Sequence, residues 1–337
     1  MGGDLHEHRA LKLTAPLHSP GTGHLPCYAV RNMKRRIVLL GVVLLLAGVV
    51  TVAWTLAGLP PVRYYVRYGL DPYCAPTGER VTLDGVEFVE IGPGILKMGS
   101  THLAEGGDWL GKLCKPFGLP WGKKPEPSDE MPVHWVEFRR GFWIATTEIT
   151  NAQYERFRPK NVRSEYSKGD DTPVVDVSWE DAKAYCSWLA ERSGRPIRLP
   201  SEAEWECACR AGSGDEFTFG DDEEKLSEYA WFGKDWESGA HAVGMKRPNR
   251  WGLFDLHGNV WEWCEDTYHA SYDDAPAGGS PWTEGGEVWQ GAPNRVFRGG
   301  CWGFPAVYCR SAIRFRFDPG YRGRFLGFRP AFVSLEN

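Results

Sequence analysis

The 337-residue chain contains no block of five or six like charges, and its formal net charge is −5. It offers no electrostatic footprint for a phosphate backbone, so a nucleic-acid partner is not expected. It also lacks a G-X-Y period and low-complexity runs, although 40 Gly and 24 Pro are scattered between its apolar segments. Collagen-like and linker-only chains are thereby excluded. No segment repeats at the period of a solenoid or propeller. No G-x-S-x-G elbow supplies a hydrolase nucleophile. Gly92-Pro93-Gly94 is a turn, because the Gly-Lys-Ser/Thr of a phosphate loop does not follow it. The 9 Cys follow neither a zinc pattern nor that of a small stapled scaffold. His134 and His257 are not spaced as a zinc pair and read as structural.

What the chain has in plenty is rings. Its 16 Trp, 16 Phe and 13 Tyr point to a loop-rich fold that packs large side chains where regular secondary structure is sparse. With 42% apolar and 25% charged residues, it can bury one large core or two ordinary ones.

Ile37 to Ala57 is a stretch of 21 residues without a charge, long enough as a helix to cross about 30 Å of hydrocarbon. Lys34, Arg35 and Arg36 stand directly before it, so the positive-inside bias keeps residues 1–36 cytoplasmic and places the rest outside. The expectation is a single-pass membrane protein with an extracytoplasmic C-terminal domain. A cleaved signal peptide is the alternative, since Thr55-Leu56-Ala57 has small residues where a peptidase wants them. Residues 58–80 read as a stalk and 81–337 as the folded unit. Eight of the Cys lie beyond the apolar stretch, where disulfides persist; Cys74 with Cys114 is one candidate staple. Cys207 and Cys209 sit two apart in an expected helix and face different sides.

Val86 to Ile91 alternates with period two and predicts a half-buried strand, with Ile95 to Met98 as its return strand. Val133 to Phe138 and Phe142 to Ile144 flank Arg139-Arg140-Gly141 in the manner of a hairpin, and residues 101–130 predict a long polar loop. Ser178 caps an amphipathic helix that stops at Gly194. Ser201-Glu202-Ala203-Glu204 is a capping box whose helix ends near Gly212. The fold class is α+β, irregular, with short strands and two marked helices.

Six segments, in order, resemble the formylglycine-generating enzyme (sulfatase-modifying factor) family over roughly residues 82–333. They are Gly94 to Ser100, Glu130 to Tyr154, Pro173 to Trp179, Arg198 to Glu206, Gly252 to Trp263, and Arg298-Gly299-Gly300 with Gly327-Phe328-Arg329. The resemblance implies a C-type-lectin-like fold. It also implies oxidation of a substrate Cys to formylglycine with oxygen, through copper(I) held by two thiolates in C-x-x-x-x-C. Cys309 matches the second thiolate. Phe304 stands at the first and cannot ligate copper. Cys301, at a Ser position of the family, leaves three readings open: a displaced two-sulfur copper site with Cys309, a disulfide, or two separate thiols.

The resemblance further implies calcium, held by the carboxylates of Asp255 and Glu262 and the carbonyls of Gly258 and Val260. The plainer alternative is that the two acids cap turns and pair with Arg. From Trp302 to Leu326, Phe304, Tyr308, Phe315 and Tyr321 intervene beside Arg310, Arg314, Arg316 and Arg324. Trp302, Phe304, Tyr308, Arg310, Phe315 and Tyr321 are therefore candidates for a face that binds a peptide or protein near Cys309. Against this stands ordinary core packing under an Arg-rich rim. Three functions are consistent with the chain: a formylglycine-generating oxidase with an incomplete copper site, a non-catalytic ligand-binding module with a diversified lectin-like face, and a structural component of an envelope complex.

Overall fold

The computed structural model describes residues 59–69, 71–101, 129–289 and 291–334. The apolar stretch Ile37–Ala57 lies outside them, and among the described residues no helix is long and apolar enough to cross a membrane. The architecture is mixed α+β. Helix α1 (Val62–Tyr68) is followed by strands β1 (Pro76–Leu83), β2 (Val86–Ile91), β3 (Gly94–Met98), β4 (His134–Phe138) and β5 (Phe142–Ala145). Helices α2 (Asn151–Phe157), α3 (Trp179–Ser193) and α4 (Glu202–Arg210) come next. The second half is built of short strands: β6 (Trp261–Thr267), β7 (Val288–Trp289), β8 (Ala292–Pro293), β9 (Arg295–Arg298), β10 (Arg314–Phe317), β11 (Leu326–Gly327) and β12 (Ala331–Val333).

One sheet has the order β1-β2-β5-β12, all antiparallel, so strands from the two ends of the described domain share it. The other runs β10-β9-β6-β11, with β11 parallel to β6. The strand pairing departs from the hairpins that the sequence suggests. β3 pairs with β4, while β2 pairs with β1 and β5. Period-two patterning shows which residues are buried but carries no information about which strand covers them. Residues 76–80 of the expected stalk form part of β1, opposite β2.

The marked helices form for the expected local reasons. The Ser178 and Asp181 side chains bond each other's backbone amides at the start of α3, and Gly194 ends it at φ 66°. Ser201 and Glu204 do the same for α4, which ends at Ala211 in the left-handed region. Helix α2 has its own capping box from Thr150 and Gln153. Trp205, Trp261, Trp263 and Trp302 are completely enclosed, so the rings supply the interior that the short strands cannot.

Candidate functional site

The stretch after β9 is shaped by two glycines. Gly299 and Gly300 have φ of 105° and 78°, and a Cβ on Gly300 would come within 2.6 Å of the Cys309 sulfur. Only glycine permits that approach in the left-handed region. The chain then ties itself inward: the Trp302 amide donates to the Asn259 carbonyl at 2.9 Å, and the Tyr308 amide to that of Pro305 at 3.0 Å. Cys301 and Cys309 are both fully buried. Burial, with Cys301 and Cys209 adding to it, pushes the Cys309 thiol well above its ordinary range. It therefore stays protonated at neutral pH, and a thiol lacks the nucleophilicity and ligating power of a thiolate.

Phe304 is fully buried among other rings. Its ring meets Trp261 at 5.7 Å, Tyr308 at 5.4 Å and Trp236 at 5.5 Å. Phe315 joins from the sheet, 5.1 Å from Trp261 and 5.7 Å from Tyr308. The segment bearing Trp236 is sewn on from outside, with Gly233 and Lys234 amides donating to the carbonyls of Phe304 and Trp302 at 2.8 and 2.7 Å. Trp302, Phe304, Tyr308, Arg310 and Phe315 are all interior. Of the six candidate ligand contacts, Tyr321 alone is half-buried. It stacks on Phe317 at 3.8 Å and lines an open groove of about 530 Å³ with Tyr166, Glu165, Asp176, Arg322 and Arg324. Arg324 lies over the Tyr166 ring at 4.3 Å and over Trp236 at 5.4 Å.

Of the four arginines expected on a rim, Arg310 and Arg314 are internal ion-pair partners. Arg310 is bidentate to Glu130 at 3.0 and 2.7 Å, and Arg314 to Glu202 at 2.7 Å for both bonds. Arg298 pairs with Glu206. Such planar two-point pairs suit enclosed carboxylates. Arg310 also reaches the wall of a second cavity, of about 450 Å³.

A family model for the sulfatase-modifying factor enzyme 1-like domain matches residues 77–332. The chain belongs to that family. It is 35% identical over 212 residues to the formylglycine-generating enzyme of Streptomyces coelicolor, a match covering 58% of this chain and 60% of that protein. It is also 35% identical over 150 residues to inactive C-alpha-formylglycine-generating enzyme 2 of Bos taurus, covering 42% and 44%. Among solved structures, PvdO from Pseudomonas aeruginosa superposes with a TM-score of 0.62 at 29% identity, over 76% of this chain and 98% of that one. The chain spans less than two thirds of the length of the curated relatives it matches, 36% of one and 60% of another.

Measured against the formylglycine-generating family, both metal expectations are corrected. Among the described residues, no group of three or more His, Cys, Asp or Glu side chains is arranged to hold a metal ion. At the expected calcium site, Glu262 is already engaged: Arg329 donates to its two oxygens at 2.6 and 2.7 Å, and Trp205 donates its indole N–H at 2.8 Å. The guanidinium supplies the positive charge that a cation would have brought. Asp255 accepts from the Gly244 amide at 2.7 Å, and burial pushes its pKa up to about 6. Gly258 packs so closely on the Trp231 carbonyl that a Cβ would come within 2.4 Å, and Val260 is enclosed in the core. Asp255, Gly258, Val260 and Glu262 thus form a turn and its ion pair. At the expected copper site, Cys301 and Cys309 are both buried free thiols, and burial keeps that of Cys309 protonated.

Three features escaped the sequence reading. Trp236 as a plug has no local signal, since only the fold lays residues 233–238 over Phe304. The pairing of Glu148 with Asn259, at 3.1 Å, joins segments 111 residues apart. The third concerns cysteine partners. Cys209 faces Leu256 and His257, while Cys207 lines the cavity of about 450 Å³ together with Cys74. Cys114, the partner suggested for Cys74 by sequence, lies outside the described residues.

Proposed function

We propose that this chain is a non-catalytic, peptide- or protein-binding member of the formylglycine-generating family, carried on the outer side of a membrane by the Ile37–Ala57 segment. The observation that carries the reading is Phe304: a fully enclosed ring, walled by Trp236 and Trp261, at the position that the family resemblance assigns to the first thiolate. The buried, protonated Cys309 and the likeness to an inactive relative support it further. A C-type-lectin-like scaffold fits the sharing of one sheet by strands from both ends of the domain. The ligand surface in this reading is the open groove at Tyr321, Tyr166 and Arg324, where two rings and a guanidinium offer rigid anchors beside water.

Mass spectrometry of a C-x-P-x-R peptide, incubated with the full-length protein under oxygen with copper(I) supplied, tests the catalytic side. An unchanged thiol is the expected result, and conversion to the aldehyde would overturn the proposal. Panning a displayed peptide library against the same protein tests the binding side. Enriched peptides should lose at least roughly tenfold in affinity on Tyr321→Ala, since truncating an anchor typically costs 1–2 kcal/mol or more. Failure to enrich any sequence would refute the groove as a ligand site.

A further inference from the structure

Helix α1 sorts its side chains into stripes one turn apart. Tyr64 and Tyr68 form the stripe toward the domain: Tyr64 is buried, and the Tyr68 hydroxyl donates to the Glu137 carboxylate on β4 at 3.1 Å. Val62 and Val66 form another, and they are 58% and 83% exposed. Arg63 and Arg67, both exposed, run beside the valines. Arg67 pairs with Glu137, and Arg139 approaches the other oxygen of that carboxylate at 3.6 Å, so a third guanidinium stands by the helix. Arg63 donates to the Tyr64 hydroxyl at 3.0 Å. Each guanidinium carries five N–H donors, and these bonds leave others for a phosphate.

A valine stripe in water needs a reason, because β-branched residues are poor helix formers and gain nothing there from packing. The order of the chain supplies one. Only Gly58, Leu59, Pro60 and Pro61 separate Ala57, the end of the apolar stretch, from Val62. Those steps cover at most about 18 Å when fully extended. The headgroup layer outside the hydrocarbon is itself roughly 5–8 Å thick. With Ile37–Ala57 across a bilayer, α1 is kept beside the lipid surface.

We propose that α1 lies on that surface, with Val62 and Val66 seated where headgroups meet acyl chains and with Arg63, Arg67 and Arg139 on phosphate groups. The proposal rests on the membrane placement given above, and is independent of the groove and of the non-catalytic reading. Interfacial helices bind in this way, by burying an apolar face and attracting anionic lipid. Arginine suits the edge of such a seat, since its stem is apolar and its head pairs with phosphate. A helix this short is a weak anchor by itself, but the adjoining span holds the local lipid concentration high.

The consequence is orientation. Tyr64 and the bonds to Glu137 fix α1 to the domain, so seating the helix sets which face of the domain turns toward the bilayer. The segment read from sequence as a stalk then acts as a foot.

The test uses the full-length chain in vesicles of phosphatidylcholine and phosphatidylglycerol, with the photoreactive residue p-benzoylphenylalanine in place of Val66. After irradiation, mass spectrometry should find phospholipid attached at that position. Adding Val62→Asp, which puts a carboxylate on the same stripe, should cut the yield at least roughly fivefold by weakening the apolar seat. A protein that resists alkaline carbonate extraction yet gives no lipid adduct would overturn the proposal and leave the membrane span standing. Release by carbonate would overturn both. An adduct yield unchanged by Val62→Asp would also overturn it, since nearness alone would then account for the adduct. The presence or absence of the adduct in the protein without Val62→Asp keeps the test decisive if that variant fails to fold.

Discussion

The Nδ1 of His257 stands 2.8 Å from the carbonyl oxygen of Cys309, while its Nε2 accepts the Thr218 amide at 3.1 Å. The two bonds together require one tautomer, neutral and protonated on Nδ1. The imidazole thereby ties the loop before β6 to the segment carrying Cys309, two stretches that the family motifs keep separate in sequence. A charged ring would lose its acceptor.

Acid should therefore weaken the fold through His257. Burial, reinforced by Arg210, pushes its pKa down to about 4, whereas the unfolded residue titrates near its ordinary 6.5. A depressed histidine contributes stability that is complete above about pH 6.5 and is lost as pH falls toward 4, to the extent of roughly 3 kcal/mol. Urea unfolding midpoints measured over that interval should fall more steeply for the native protein than for His257→Phe, which has nothing to titrate. Equal slopes would count against this account.

Phe304→Ala should cost about 3–5 kcal/mol, because the ring is enclosed and its neighbours are themselves fixed by packing. The measurement is equilibrium denaturation. A loss below roughly 1 kcal/mol would mean that the surrounding rings collapse easily into the space left.

Removing the charge of Arg329 should be at least as damaging. Arg329→Met strands the Glu262 carboxylate, which has no exposure of its own, and breaking one side of such a pair costs about 3–5 kcal/mol. Adding Glu262→Leu to that variant should recover part of the loss, since the stranded charge is then gone. Thermal melts of the single and double variants decide it; a double variant no better than the single would show that the ion pair is not the source.

Tyr321→Ala should separate binding from stability. The ring is only half-buried, so the folded state should lose no more than about 1 kcal/mol, while peptide affinity drops as described above. Comparable losses in both would make Tyr321 a packing residue instead of a ligand contact.

Much of the local structure was legible in advance because its causes are local. Ser178 and Gly194 bracket α3, and Ser201 with Glu204 starts α4, through bonds spanning no more than four residues. The pairing of β3 with β4 was not legible, because the turn at Gly92-Pro93 can point a strand away from its neighbour but cannot name its partner. The same limit explains the site. A row of Phe, Tyr and Arg near Cys309 is equally compatible with a binding face and with an interior, since rings and paired guanidiniums serve both.

By itself the amino-acid order determined the family, the capped helices and an apolar stretch long enough to span a bilayer. Each of these depends on residue identity or on spacing within a few turns of chain. Tertiary structure alone decided that Glu262 is neutralised by Arg329, 67 residues away, and that Trp236 closes over Phe304. It alone placed Cys207 and Cys74 in one cavity wall. These contacts arise because burying large rings among short strands forces distant segments together, and which charges and thiols then meet is fixed only by how that core closes.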